Sequence, residues 1–83
     1  MPTVVLFGRE GCCLCDEARE VLLRVRQKQP FVMEERDIEG DDALLQSYME
    51  RIPVVTIDDQ EVFELFVDEH EFEQRLISRV EPG

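Results

Sequence analysis

Three of the 83 residues are cysteine, and they stand within four positions, Cys12-Cys13-Leu14-Cys15. Thiols so grouped can exchange disulfides or bind a soft metal ion, and spacing decides which pairs are able to bond. Cys12 and Cys13 are neighbours, with Cα atoms ~3.8 Å apart across a trans peptide, short of the usual disulfide window of about 4.4–6.8 Å. Cys13 and Cys15, two apart, point to different sides of a helix. Cys12 and Cys15, three apart, bring their Cα atoms to roughly 5 Å in a first helical turn. That is the pair able to close. Cys12 lies nearest the helix start, where unpaired N–H groups and the positive dipole end favour a thiolate, so it is the expected nucleophile, with a lowered pKa. Arg9 stands ready to assist it, while Glu10, Asp16 and Glu17 oppose it. Cys15 aligns with Ala18 and Leu22 at the border of the apolar face, as suits a shielded resolving thiol. Cys13 aligns with Asp16, Glu17 and Glu20 on the polar face and reads as a small surface residue.

These thiols need a strand before them and a helix after them. Thr3-Val4-Val5-Leu6-Phe7 is continuously apolar, as in a strand buried on both faces, and Gly8-Arg9-Glu10-Gly11 breaks it. From Cys12 to about Lys28 the periodicity is helical, with Leu14, Ala18, Val21, Leu22 and Val25 on one face and Pro30 as the stop. Phe31 to Ile38 is a second strand, its charged later half (Glu34, Glu35, Arg36, Asp37) suited to a sheet edge. Gly40-Asp41 offers a turn and cap for a short helix bearing Leu44, Leu45, Tyr48 and Met49. Val54-Val55-Thr56-Ile57 and Glu61 to Phe66 read as a hairpin around Asp58-Asp59-Gln60. Asp68 caps a last helix, with Glu71 in a capping-box position and Phe72, Leu76, Ile77 and Val80 as its apolar face. The order β-α-β-α-β-β-α predicts an α/β fold: one domain over 1–83, a four-stranded mixed sheet with helices on both faces.

Composition narrows the function. Leu, Ile, Val and Phe supply 27 residues, enough for a small globular core. The net charge of −11 excludes the basic stripe that nucleic acid requires and disfavours anionic membranes. The acid is concentrated late: residues 58–83 carry 9 acidic and 2 basic groups, against 7 and 6 in residues 1–37. Such a face is solubilising, and it can steer a partner with a basic docking surface. No segment reaches the ~20 apolar residues that span a bilayer. Met1-Pro2-Thr3-Val4 starts no signal peptide, so a reducing, cytoplasmic location is expected.

The Cys12–Cys15 motif, followed by Arg51-Ile52-Pro53-Val54, resembles the glutaredoxin-like proteins of the thioredoxin-fold superfamily over nearly the whole chain. The C-x-L-C form is similar to that of small glutaredoxin-like proteins of bacteria and plants. The resemblance implies a cis bond at Pro53 beside the cysteines and a substrate paired with the backbone of Ile52. It also implies that Arg9 contacts a glutathione carboxylate, with Arg9, Ile52 and Pro53 forming the substrate site. The chain departs from the family where glutaredoxins read C-P-Y-C. It departs again where they place Gly-Gly before an Asp, since here Glu64-Leu65-Phe66-Val67 precede Asp68. Those side chains obstruct the approach of the γ-glutamyl end of glutathione, and Glu64 opposes its carboxylate.

The expected activity is thiol–disulfide exchange between the Cys12–Cys15 dithiol and a protein or small-molecule disulfide. It needs no bound cofactor, works as a monomer, and is restored by glutathione or a reductase. Two alternatives stay open from sequence. The cysteines can bind a metal or Fe–S cluster, although there is no second C-x-x-C and His70 is the only histidine. A thioredoxin-fold adaptor that binds without turnover is the other.

Overall fold

A computed structural model describes residues 1–80, with side chains as far as Ser78. Its elements are β1 (Thr3–Gly8), α1 (Cys13–Lys28), β2 (Val32–Asp37), a 3-10 turn (Ile38–Gly40), α2 (Asp42–Tyr48), β3 (Val54–Ile57), β4 (Gln60–Glu64) and α3 (Glu69–Val80). The sheet order is β2-β1-β3-β4. β1 runs parallel to β2, and the other two pairings are antiparallel. This is the α/β architecture expected from the element order, and the thioredoxin-like fold that the resemblance implies.

β1 is central and apolar because both its faces are covered. Val4 and Leu6 join a core with Ala18, Leu22 and Val25 of α1 and with Phe72 and Leu76 of α3. On the opposite face Phe7 stacks on Tyr48 of α2, ring centroids 4.8 Å apart. Helices therefore cover both faces. β2, on the outer edge, is mostly exposed, which explains its charge. At the end of α1 the N–H of Gln29 donates to Val25 O at 2.8 Å, and Pro30 stops the helix.

The boundaries shift in places. Cys12 is the N-cap of α1 and not its first residue. Ile38 leaves β2 for the 3-10 turn and is fully buried there. β4 takes in Gln60 and ends at Glu64, because Leu65 turns into the left-handed region (φ 73°). Met49 falls just past α2. The inward stripe of α1 runs through Cys15, Ala18, Leu22 and Val25. At ~100° per residue its centre lies roughly 60–80° from Leu14 and Val21. Leu14 is accordingly exposed and Val21 half-buried, against expectation, while Cys15 moves from the border into the core. Asp68 does cap α3, accepting the Glu71 N–H at 2.9 Å. The Glu71 carboxylate meets Arg75 (3.3 Å) instead of returning to the cap. Val80, expected on the apolar face of α3, lies outside the described side chains.

The β3–β4 hairpin turns on Asp58 (φ 50°) and Asp59 (φ 70°), the two positive-φ positions of a type I′ turn. Asp58 is held by β1: its N–H donates to Thr3 O (2.8 Å), and its Oδ1 accepts the Thr3 N–H (3.0 Å). Asp59 has only the backbone strain. Replacing it by Gly, Asp59→Gly, should raise stability by about 0.5–1 kcal/mol in urea denaturation, whereas Asp58→Gly should lower it.

Candidate active site

The strand register assembles the site. Phe7 pairs with Val54 and Val54 with Glu64, so the segments after β1, before β3 and after β4 all leave one edge of the sheet. They carry Cys12–Cys15, Ile52–Pro53 and Leu65–Phe66 respectively. The chain leaves β1 through Gly11, whose φ of 76° is a conformation open to glycine, and enters α1 at an extended Cys12.

Cys12 occupies the position where an N-cap oxygen ordinarily sits. Its Sγ accepts the Cys15 N–H at 3.3 Å, and its carbonyl accepts the Asp16 N–H at 3.1 Å. One of the unpaired donors of the helix start is thus turned on a half-buried sulfur. Cys13 is exposed, Cys15 is only 1% exposed, and all three are free thiols.

Cys15 fits because residue 8 has no side chain. A Cβ on Gly8 would stand 2.8 Å from Cys15 Sγ and 3.2 Å from its Cβ. Burial pushes the Cys15 thiol up from 9.0 to about 11. The hydrogen bond with Cys12 and the charges of Cys12 and Asp16 act the same way, against a smaller opposing bond with the Arg9 backbone. Cys15 is therefore a neutral thiol at physiological pH.

Two walls flank the thiols. On the β2 side a cleft of about 350 Å³ is lined by Gly8, Arg9, Gly11, Cys15, Arg19 and Asp37, among others, which brings Arg9 to the site. On the other side Ile52 packs with Cys15 and Ile38, with Cys12 against them. The Ile52–Pro53 bond is cis, the form the resemblance implies, and Pro53 is fully buried. The segment is held from two directions. The Leu65 N–H is shared between Arg51 O (3.1 Å) and Pro53 O (2.9 Å). The Arg51 guanidinium lies 5.3 Å from the Tyr48 ring centroid, bonds Glu64 at 2.6 Å and also reaches Glu61. Glu64, expected to confront a substrate carboxylate, is thus already paired.

Arg9, Cys12, Cys15, Ile52 and Pro53 all lie at this edge. The sequence reading passed over three residues. Gly8 is legible in sequence only as a strand break, Arg51 as part of a motif without a role, and Leu65 as a strand residue whose side chain obstructs glutathione, without its left-handed turn or its bonds to the Ile52 segment. Among the described residues no group of three or more His, Cys, Asp or Glu side chains is placed to hold a metal ion, which does not favour the metal-binding alternative. No described helix is long and apolar enough to cross a membrane.

A model of the glutaredoxin-like domain (DUF836) matches residues 3–77. Among solved structures, protein Ne2328 from Nitrosomonas europaea is 32% identical with a TM-score of 0.79, covering 89% of each chain. A structural-genomics target protein from X. campestris is 28% identical with a TM-score of 0.76, over 90% of this chain and 96% of that one. A mutant thioredoxin from Halobacterium salinarum is 20% identical with a TM-score of 0.74, over 99% and 77% respectively, a likeness of fold. No curated protein matches the chain.

Gly8→Ala should destabilise the protein by about 1–3 kcal/mol in chemical denaturation. Less than half of that loss should remain when Cys15→Ala is added, because the nearer contact is with the sulfur. The raised Cys15 pKa has its own signature. Between pH 9 and about 11 the unfolded chain releases a proton that the native thiol retains. Stability from this group is complete below pH 9 and falls as pH rises to about 11, by an amount on the order of 2–3 kcal/mol. Stability curves over that range should be flatter for Cys15→Ala than for the wild type.

Proposed function

The chain belongs to the glutaredoxin-like domain (DUF836) family of the thioredoxin superfamily, and from that membership we propose that it is a thiol–disulfide oxidoreductase acting through Cys12 and Cys15. The observation that carries the reading is the Cys12 sulfur on the N–H of Cys15, half-exposed, with a second, buried thiol bonded behind it. A helix start arranged in this way presents one accessible sulfur to a substrate and keeps its resolving partner directly behind it. Membership of a redox superfamily supports the same chemistry.

In the reaction, the Cys12 thiolate attacks one sulfur of a substrate disulfide. A Cys12–substrate disulfide forms, the substrate S–S bond breaks, and the other sulfur leaves as a thiolate. Cys15 then gives up its proton and attacks the Cys12 sulfur, releasing the second substrate thiolate and closing a Cys12–Cys15 disulfide. Two electrons pass to the substrate. The first step also prepares the second. Once Cys12 is bonded to substrate, its negative charge and its hydrogen bond with Cys15 are gone, and both had held the Cys15 proton in place. Attack on Cys12 is thereby tied to the arrival of substrate.

Ile52 and Pro53 offer the backbone beside which the substrate lies, and Arg9 receives its acidic end. No bound cofactor takes part. Glutathione or a disulfide reductase returns the dithiol, in a reducing, cytoplasmic setting, with the chain acting as a monomer.

Reduction of hydroxyethyl disulfide or insulin tests this directly. Cys12→Ser should lower the rate at least 100-fold, and equal rates would remove Cys12 from the mechanism. Cys15→Ser should accumulate a covalent adduct on Cys12 that mass spectrometry detects.

A further inference from the structure

The rim around the thiols is apolar in a way that folding alone does not require. Leu14 is 44% exposed, Leu65 45% and Phe66 69%, although the interior close by is well packed. All three lie at the sheet edge where Cys12 emerges: Leu14 between the cysteines, and Leu65 hydrogen-bonded to the carbonyls on either side of Ile52. Leu65 is also the one non-glycine outside the hairpin turn with a positive φ among the described residues, at 73°. A branched-chain residue is disfavoured there, where glycine carries no such penalty. Strain held by an exposed apolar side chain beside a reactive group points to a use for that side chain.

The charge around the rim indicates what binds. Glu10, Glu17 and Glu50 flank the three segments and have no ion-pair partner among the described residues. Of the cations near the thiols, Arg19, Arg36 and Arg51 are already held in ion pairs, Arg9 is in none among the described residues, and the chain as a whole carries −11. Glutathione, small and net anionic, matches neither the apolar rim nor this field. A cationic chain with apolar side chains matches both.

We propose that Leu14, Leu65 and Phe66 form a docking surface for an extended, basic protein segment that carries the disulfide attacked by Cys12. The inference rests on the oxidoreductase reading and names its substrate class. The segment lies beside Ile52 with its apolar side chains on Leu65 and Phe66, and its lysines and arginines face the acidic rim. The two electrons from Cys12 and Cys15 reduce its disulfide to two thiols.

The test uses the reduced full chain and compares three substrates: hydroxyethyl disulfide, oxidised glutathione, and a synthetic Lys- and Leu-rich peptide disulfide. The wild type should favour the peptide. Leu65→Gly with Phe66→Ala should cut the ratio of kcat/KM for peptide over hydroxyethyl disulfide about tenfold. The variant should unfold at the same or higher denaturant concentration, since glycine relieves the φ at 65. The preference should also shrink severalfold between about 20 and 300 mM salt. Turnover without peptide preference, or a ratio the variant leaves unchanged, would overturn this inference alone. Self-association of the wild type that the variant abolishes would assign the patch to a second copy and also overturn it. No turnover of any of the three would remove the oxidoreductase reading itself.

Discussion

One sulfur on one amide organises this end of the molecule. Cys12 Sγ takes the N–H of Cys15, which places a polarisable atom where a cap oxygen ordinarily sits and fixes the first turn of α1. The same contact sets the two reactive positions relative to each other, because the donor belongs to the second cysteine. Capping and chemistry are here a single interaction. Any change that turns Cys12 out of its extended conformation removes both the cap and the alignment of the thiols.

The contact holds because packing beneath it leaves little freedom. Cys15 is pinned against the end of β1, where only a residue without a Cβ leaves room for its sulfur. Burial at that place keeps the thiol protonated. The two cysteines therefore differ through their surroundings alone, one at the mouth of the helix and one under it. On the proposed reading that asymmetry makes one the attacker and the other the reserve.

The third support comes from across the sheet. Antiparallel register places the start of β3 and the end of β4 beside the end of β1, so chain segments some forty and fifty residues away surround Cys12. Arg51 then ties the segment before β3 to β4 through Glu61 and Glu64, with the Tyr48 ring beneath its guanidinium. These ion pairs are exposed, and each is weak singly. Their value lies in geometry, since they hold the backbone of Ile52 at a fixed place relative to the thiols.

Much of this was legible in sequence because it is local. The three-residue spacing of Cys12 and Cys15, the glycine-bounded end of β1, the helical period of α1 and the polar hairpin turn that begins at Asp58 depend on near neighbours and on the side-chain period. Local periodicity also gave the element order, and hence the fold. Tertiary packing decided the rest. Periodicity placed Leu14 inward and Cys15 at the border, but the rotation of α1 on the sheet, set by contacts with β1 and α3, exposed the first and buried the second. That Gly8 makes space for a sulfur, that Arg51 neutralises Glu64, and that Leu65 leaves the strand in a left-handed turn all depend on atoms distant in sequence. A residue's own type and its near neighbours do not encode those contacts; the register of the sheet does.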